Sequence, residues 1–266
     1  MSRLSALFAQ TRAEGRGALI VYVTAGDPDL ETTREVALAA ERGGADAVEL
    51  GIPFSDPLAD GLVIQAASFR ALQGGTTVRG VLRCLAEIRE RSQLPIAFMS
   101  CINPLLRMGL DEFAAAAEAA GGDGVLVTDL PPSESGHWVR IAAQHHLDTI
   151  FLVAPSSTEA RIQSAVELTT GFVYCVARPG VTGTRDELPA DLAALVQRIR
   201  ARTDKPIAVG FGVSRPEHVR QVCQVADGAV VGSAVVSVVA EADSGRAPER
   251  VERLVADLAG GVRTAP

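Results

Sequence analysis

Glu49 stands inside the apolar run Ala47–Gly51, flanked by Val48 and Leu50. A carboxylate in such a run is costly unless it is paired or does chemistry. Taken alone, it is as compatible with a satisfied structural acid as with a catalytic one. The segment that follows, GIPFSDPLADG (51–61), is a long loop shaped by Pro and Gly that offers Asp56 and Asp60. One of these can serve simply to cap a turn or helix. A second carboxylate close to Glu49 would supply the proton donor and acceptor that acid–base chemistry requires.

A second group of residues suits an anion. GVTGT (180–184), GFGVS (210–214) and GSA (232–234) each follow an apolar run. Any one of these glycine loops is explained by a tight turn. Three in succession suit a phosphate cradle, because the missing Cβ lets backbone N–H groups approach the oxygens and Ser233 adds a hydroxyl. Lys205 is the chain's one lysine and precedes an apolar run rather than following it. A Schiff-base mechanism needs a desolvated amine inside the site, so that chemistry is excluded. Cys84, Cys101, Cys175 and Cys223 form no CxxC pair and read as small buried side chains in a reducing compartment. His137, His145, His146 and His218 fall in helical segments or at their ends and read as solvated helix surface, so no metal site is expected.

The elements that must position these residues repeat along the chain. Short apolar runs at Leu19–Thr24, Ala47–Gly51, Ile96–Met99, Gly124–Thr128, Thr149–Val153, Phe172–Val176, Ile207–Gly210 and Gly228–Val231 read as strands. Helical spacing follows them, as in Leu30–Arg42, Asp111–Ala120 and Leu192–Arg202, and Ser214 with Pro216 starts a helix before Val219–Val225. Eight β-α repeats in 266 residues give an α/β protein, a closed (β/α)8 TIM barrel over 1–266 as one domain. The first 17 residues add an amphipathic N-terminal helix and hold no signal peptide. No Gly-x-Gly-x-x-Gly opens the first helix, which removes the main support for a dinucleotide fold. Glu241–Arg253 alternates in charge and reads as a solvated helix face. Aromatics are only 4%, so the interior must be built from Val, Leu, Ile and Ala. A net charge of −7 argues against nucleic acid, and no apolar stretch is long enough to span a bilayer, so a cytoplasmic location is expected.

In this fold, active sites form at the C-terminal ends of the strands. The strings YVTAGDP (22–28), VELGIPFSDPLADG (48–61), INPLLRMG (102–109), GVLVTDLPPSES (124–135), RPGVTGTR (178–185), VGFGVS (209–214) and VVGSAVV (230–236) resemble, in order and over essentially the whole chain, those of tryptophan synthase α-subunits. The resemblance implies a lyase of tryptophan biosynthesis that splits indole-3-glycerol phosphate into indole and glyceraldehyde 3-phosphate by a retro-aldol reaction. It implies that Glu49 is the general acid–base and that Asp60 faces the indole N–H. It also implies that Tyr22, Leu126, Leu152 and Tyr174 line the substrate pocket, and that Thr182 closes against Asp60. Gly183, Gly212, Gly232 and Ser233 match the phosphate contacts. The implied partner is a β-subunit in an αββα heterotetramer, met by Pro53, Phe54, Asp56, Pro57 and Asn103; pyridoxal phosphate belongs to that partner, and no cofactor is expected here. Leu62, the stretch Ser100-Cys101-Ile102 and Ala177 depart from the usual pattern, which bears on pocket shape and partner coupling. Two other readings stay open: a stand-alone lyase of a secondary pathway, and a non-catalytic barrel acting as a binding partner. An isomerase of the same pathway would lack the ELGIPFSDPLADG loop.

Overall fold

The computed structural model describes residues 2–57, 60–176, 191–210, 212–243 and 245–262. Eight parallel strands close into a barrel in chain order. They are β1 (Ala18–Thr24), β2 (Ala47–Gly51), β3 (Ile96–Ser100), β4 (Gly124–Val127), β5 (Asp148–Val153), β6 (Val173–Val176), β7 (Ile207–Gly210) and β8 (Gly228–Val231). All eight expected strands are present, with ends that differ by a residue or so. Among the described residues, α1 (Arg3–Ala13) precedes the barrel, α2 (Leu30–Arg42) follows β1, and α3 (Leu62–Gln73) and α4 (Val78–Arg89) follow β2. Next come α5 (Ile102–Met108), α6 (Leu110–Ala119), α7 (Gly136–Gln144), α8 (Glu159–Leu168) and α9 (Leu192–Arg200). The last are α10 (Pro216–Cys223), α11 (Ser233–Ala240) and α12 (Ala247–Ala259). This is a (β/α)8 TIM barrel with an added N-terminal helix.

Strand alternation divides the core in two. Leu19, Val21, Val48, Leu50, Ile96, Phe98, Val173 and Cys175 face the helices. Ala18, Ile20, Tyr22, Ala47, Ala97, Met99, Leu126, Ile150, Tyr174 and Ala208 face the barrel axis. Helix α1 closes the lower end of that inner cluster with Leu4, Leu7 and Phe8, and the Phe8 ring lies 5.6 Å from Phe172.

The same helix is tied down by a device used three times. Asp46, Asp123 and Asp227 each stand one residue before an even-numbered strand. Each accepts the N–H at the start of the preceding strand: Leu19 at 2.8 Å, Ile96 at 2.7 Å and Ile207 at 2.9 Å. Each also takes an arginine from α1 or its end: Arg16 on Asp46, Arg3 on Asp123 and Arg12 on Asp227. Arg89 and Arg200 complete the last two clusters. Lys205 sits at this end as well, donating to the carbonyls of Val166 (2.6 Å) and Thr169 (2.5 Å).

Two expectations need correction. His218 is only 2% exposed, because it shares the inward stripe of α10 with Val219 and Val222 at helical spacing; the expectation of a solvated histidine missed that stripe. The charged tail is not simply a solvated face. Helix α12 begins at Ala247 and buries Val251, Val255 and Leu258, while Arg42–Glu252 and Arg253–Glu249 pair on its outer side.

The clusters give a stability test. Asp123 is buried with Arg89, so Asp123→Ala leaves a largely desolvated guanidinium unpaired and is expected to cost on the order of 3–5 kcal/mol. Arg12 is mostly exposed, and Arg12→Ala is expected to cost less than about 1 kcal/mol. Urea unfolding of both variants checks the contrast; equal losses would refute it.

Candidate active site

Residues 47, 49 and 51 of β2 share one face, and Ala47 belongs to the inner cluster, so alternation points Glu49 into the barrel. Its side chain is buried at 1% exposure, and among the described residues neither carboxylate oxygen has a hydrogen-bond partner. Burial pushes this carboxyl up to about 8. It is therefore mostly protonated at neutral pH, in the state of a proton donor. Tyr22 on β1 and Ala97 on β3 flank it in register.

Asp60 comes from the loop above. Its N–H donates to the Pro57 carbonyl (3.1 Å), and its own carbonyl accepts from Gln65 Nε2 (2.8 Å). Gly61 then caps α3 with no side chain of its own. Burial raises the Asp60 carboxyl to about 6, two units below Glu49. Both acids reach the two tyrosines, the chain's only ones. Burial first, then Asp60, push the Tyr22 hydroxyl up, while a hydrogen bond from Thr24 (3.3 Å) opposes them. Burial followed by Glu49 and Asp60 does the same to Tyr174. Tyr22, Glu49, Asp60 and Tyr174 thus share one mouth, with Leu126 buried and Leu152 half-buried on β4 and β5.

Two glycines matter here for a reason that residue type and spacing did not give. A Cβ on Gly51 would stand 2.1 Å from the Tyr22 hydroxyl, and one on Gly210 would stand 2.1 Å from the Tyr174 hydroxyl. Tyr22 pairs with Glu49 and Tyr174 with Ala208, so each ring leans two residues up the next strand onto a glycine. A glycine two residues beyond a tyrosine's partner is the signal that would have found them.

At the ends of β7 and β8, Gly212 has φ +89° and open space where a Cβ would stand; Gly232 and Ser233 open α11. Thr182 and Gly183 lie outside the described residues, as does Ala177. Pro53, Phe54 and Asn103 line one groove of about 850 Å³ with Leu72, Arg79 and Met108. Asp56 is exposed beside it and Pro57 is buried. Leu62 is 69% exposed on α3, Ser100 is buried, Ile102 is half-buried, and buried Cys101 places Sγ 3.6 Å from the Thr128 hydroxyl. No group of His, Cys, Asp and Glu that could hold a metal ion occurs among the described residues, and none of their helices is long and apolar enough to cross a membrane.

The family model "Tryptophan synthase alpha chain" matches residues 8–262. The chain belongs to the tryptophan synthase alpha chain family. A tryptophan synthase alpha chain from Solibacter usitatus is 47% identical over 262 residues, covering 98% of each chain. Another from Geobacter sp. (strain M21) is 45% identical over 262 residues, again covering 98% of both. Among solved structures, Mycobacterium tuberculosis tryptophan synthase superposes with a TM-score of 0.92 at 40% identity, covering 99% of both chains. A chain of the tryptophan synthase complex from Pyrococcus furiosus gives 0.85 at 41% identity, covering 92% of this chain and 99% of that one. The barrel of this tryptophan synthase alpha chain family member is thus matched along nearly its whole length.

Glu49 in such a setting should cost stability. Between pH 4.5 and about 8 the folded chain keeps a proton that the unfolded chain has released, so stability falls as pH rises through that window. Glu49→Gln removes this loss. The variant is expected to match the parent below about pH 4 and to exceed it above pH 8, by on the order of 4 kcal/mol at full shift. Urea midpoints measured across that range test it; no gain at the alkaline end would contradict the unpaired burial.

Proposed function

We propose that the chain performs the α reaction of tryptophan synthase, the retro-aldol cleavage of indole-3-glycerol phosphate to indole and glyceraldehyde 3-phosphate. The observation that carries the assignment of roles is Glu49: a carboxyl sealed inside the barrel, without a partner among the described residues and protonated at neutral pH. Protonated Glu49 delivers its proton to indole C3. The positive charge that then develops on the ring is stabilised by Asp60, the more acidic of the two carboxyls, through the indole N–H. The Glu49 carboxylate next takes the proton of the hydroxyl on the glycerol carbon attached to the ring. The carbon–carbon bond breaks, the aldehyde forms, and Glu49 is protonated again, so donor and acceptor are one group.

Tyr22, Leu126, Leu152 and Tyr174 form the walls against which the indole ring rests. Gly212, Gly232 and Ser233 hold the phosphate, with the first N–H groups of α11 as donors. Thr182 and Gly183 complete these sets in the same reading. The groove at Pro53, Phe54 and Asn103, with Asp56 and Pro57 on the same loop, is where a β-subunit docks, and pyridoxal phosphate is that partner's group. The one lysine of this chain lies at the opposite end of the barrel on backbone carbonyls, so it offers no amine for a Schiff base at the mouth. Four free, buried cysteines suit a cytoplasmic, reducing setting.

The test is release of indole from indole-3-glycerol phosphate, with and without a β-subunit. Glu49→Gln and Asp60→Asn are each expected to lower kcat by about 10²-fold or more with the fold intact. Ser233→Ala is expected to raise KM about three- to ten-fold with kcat little changed, as loss of one phosphate contact requires. Wild-type turnover in a folded Glu49→Gln variant would overturn the acid–base assignment.

A further inference from the structure

The two carboxyls are held by different means. Glu49 lies within a strand and inherits the rigidity of the barrel. Asp60 lies in a loop, one residue before the helix cap, where chain mobility is normally highest. A group that must meet a developing charge needs its position fixed to well under an ångström.

Helix α3 is the rigid body nearest Asp60. Ala67 and Ala71 are fully buried, and α3 packs on β1 and α11. The Arg70 guanidinium grips both oxygens of Asp27 at 2.8 and 2.7 Å, and Asp27, in the loop after β1, is 3% exposed. Gln65 stands on the first turn of this anchored helix. Its backbone N–H makes the ordinary helical bond to Gly61 (2.9 Å), and its side-chain amide reaches back past the cap to the Asp60 carbonyl (2.8 Å). With the Asp60 N–H on Pro57, both backbone polar groups of Asp60 are held, one from upstream and one from the helix. That fixes the peptide planes on either side of its Cα and hence the direction in which its side chain leaves.

We propose that Gln65 is a positioning residue for the lyase reaction, acting through Asp60 by tying its carbonyl to α3. The proposal rests on the reading that Asp60 meets the indole ring. Because the contact between Asp60 and the ring strengthens as charge develops, a loosened Asp60 costs the transition state more than bound substrate.

The experiment is steady-state cleavage by the full chain, with its β-subunit present, for the parent, Gln65→Met, Gln65→Glu and Asp60→Asn. Met keeps the length and helix propensity of Gln and removes the donor; Glu is isosteric and turns a carboxylate onto a carbonyl. Both are expected to lose about three- to ten-fold in kcat, with KM within about two-fold. In Gln65→Met the acid limb of the kcat profile is also expected to move to lower pH, because a freer Asp60 is better hydrated and its raised carboxyl drops toward its ordinary value. A purely structural role would lower the melting temperature and leave that limb in place. Parental kcat in Gln65→Met, or a loss of kcat without movement of the limb, overturns the proposal while Asp60→Asn remains disabled. Parental turnover in Asp60→Asn overturns the role of Asp60 and this proposal with it.

Discussion

A neutral carboxylic acid enclosed by a barrel, with nothing among the described residues to accept its proton or donate to its oxygens, is held there by the geometry of the strand and by no attraction of its own. Glu49 points inward because Val48 and Leu50 are committed to the outer layer, and a shift of register by one residue would expose their apolar surface to the axis. The outer packing thus supplies the free energy that keeps an unsatisfied acid in place.

The contrast between the two ends of the barrel makes the point. At the lower end, Asp46, Asp123 and Asp227 are acids of the same chemistry, each given an arginine and a backbone N–H. At the upper end, Glu49 and Asp60 receive no such compensation among the described residues, and burial raises both. Fixed charge at one end secures the strand starts and α1. Carboxyls raised by burial stand at the other, in a state suited to proton exchange with a ligand. This is the division between stabilising and reacting faces known for the fold, expressed here through what each carboxylate touches.

What sequence made legible followed from local rules. A carboxylate in an apolar strand and three glycine loops after strands can be read from residue type and spacing, and the eight repeats pointed to the barrel. Features that depend on contacts between distant segments could not be read that way. His218 is the exception: its place on one stripe with Val219 and Val222 lay in the spacing and was missed. Gly51 and Gly210 read only as strand ends, the second also as the start of an anion loop, until register placed a tyrosine hydroxyl over each. Gln65 is an ordinary polar residue on a helix until the path of the loop brings the Asp60 carbonyl to its amide. The tail from Glu241 was read by its charges, whereas Val251, Val255 and Leu258, spaced four and three apart, carried the packing information.

The separation of the two acids matters more than either value. At neutral pH, a carboxyl near 8 is mostly protonated and one near 6 is mostly ionised. In the proposed reaction the enclosed group then holds the proton for the ring, and the loop group holds the negative charge that meets the protonated ring. On that reading, exchanging their environments would exchange the roles: an ionised acid deep in the barrel could not start the reaction, and a protonated one at the loop would not stabilise the cation. Full enclosure within a strand and partial enclosure on a loop produce this order directly, since desolvation is the leading cause of both shifts and is greater for Glu49. In the proposed reaction the loop position of Asp60 is thus part of the chemistry, and its cost in mobility is what the Gln65 tether from α3 offsets.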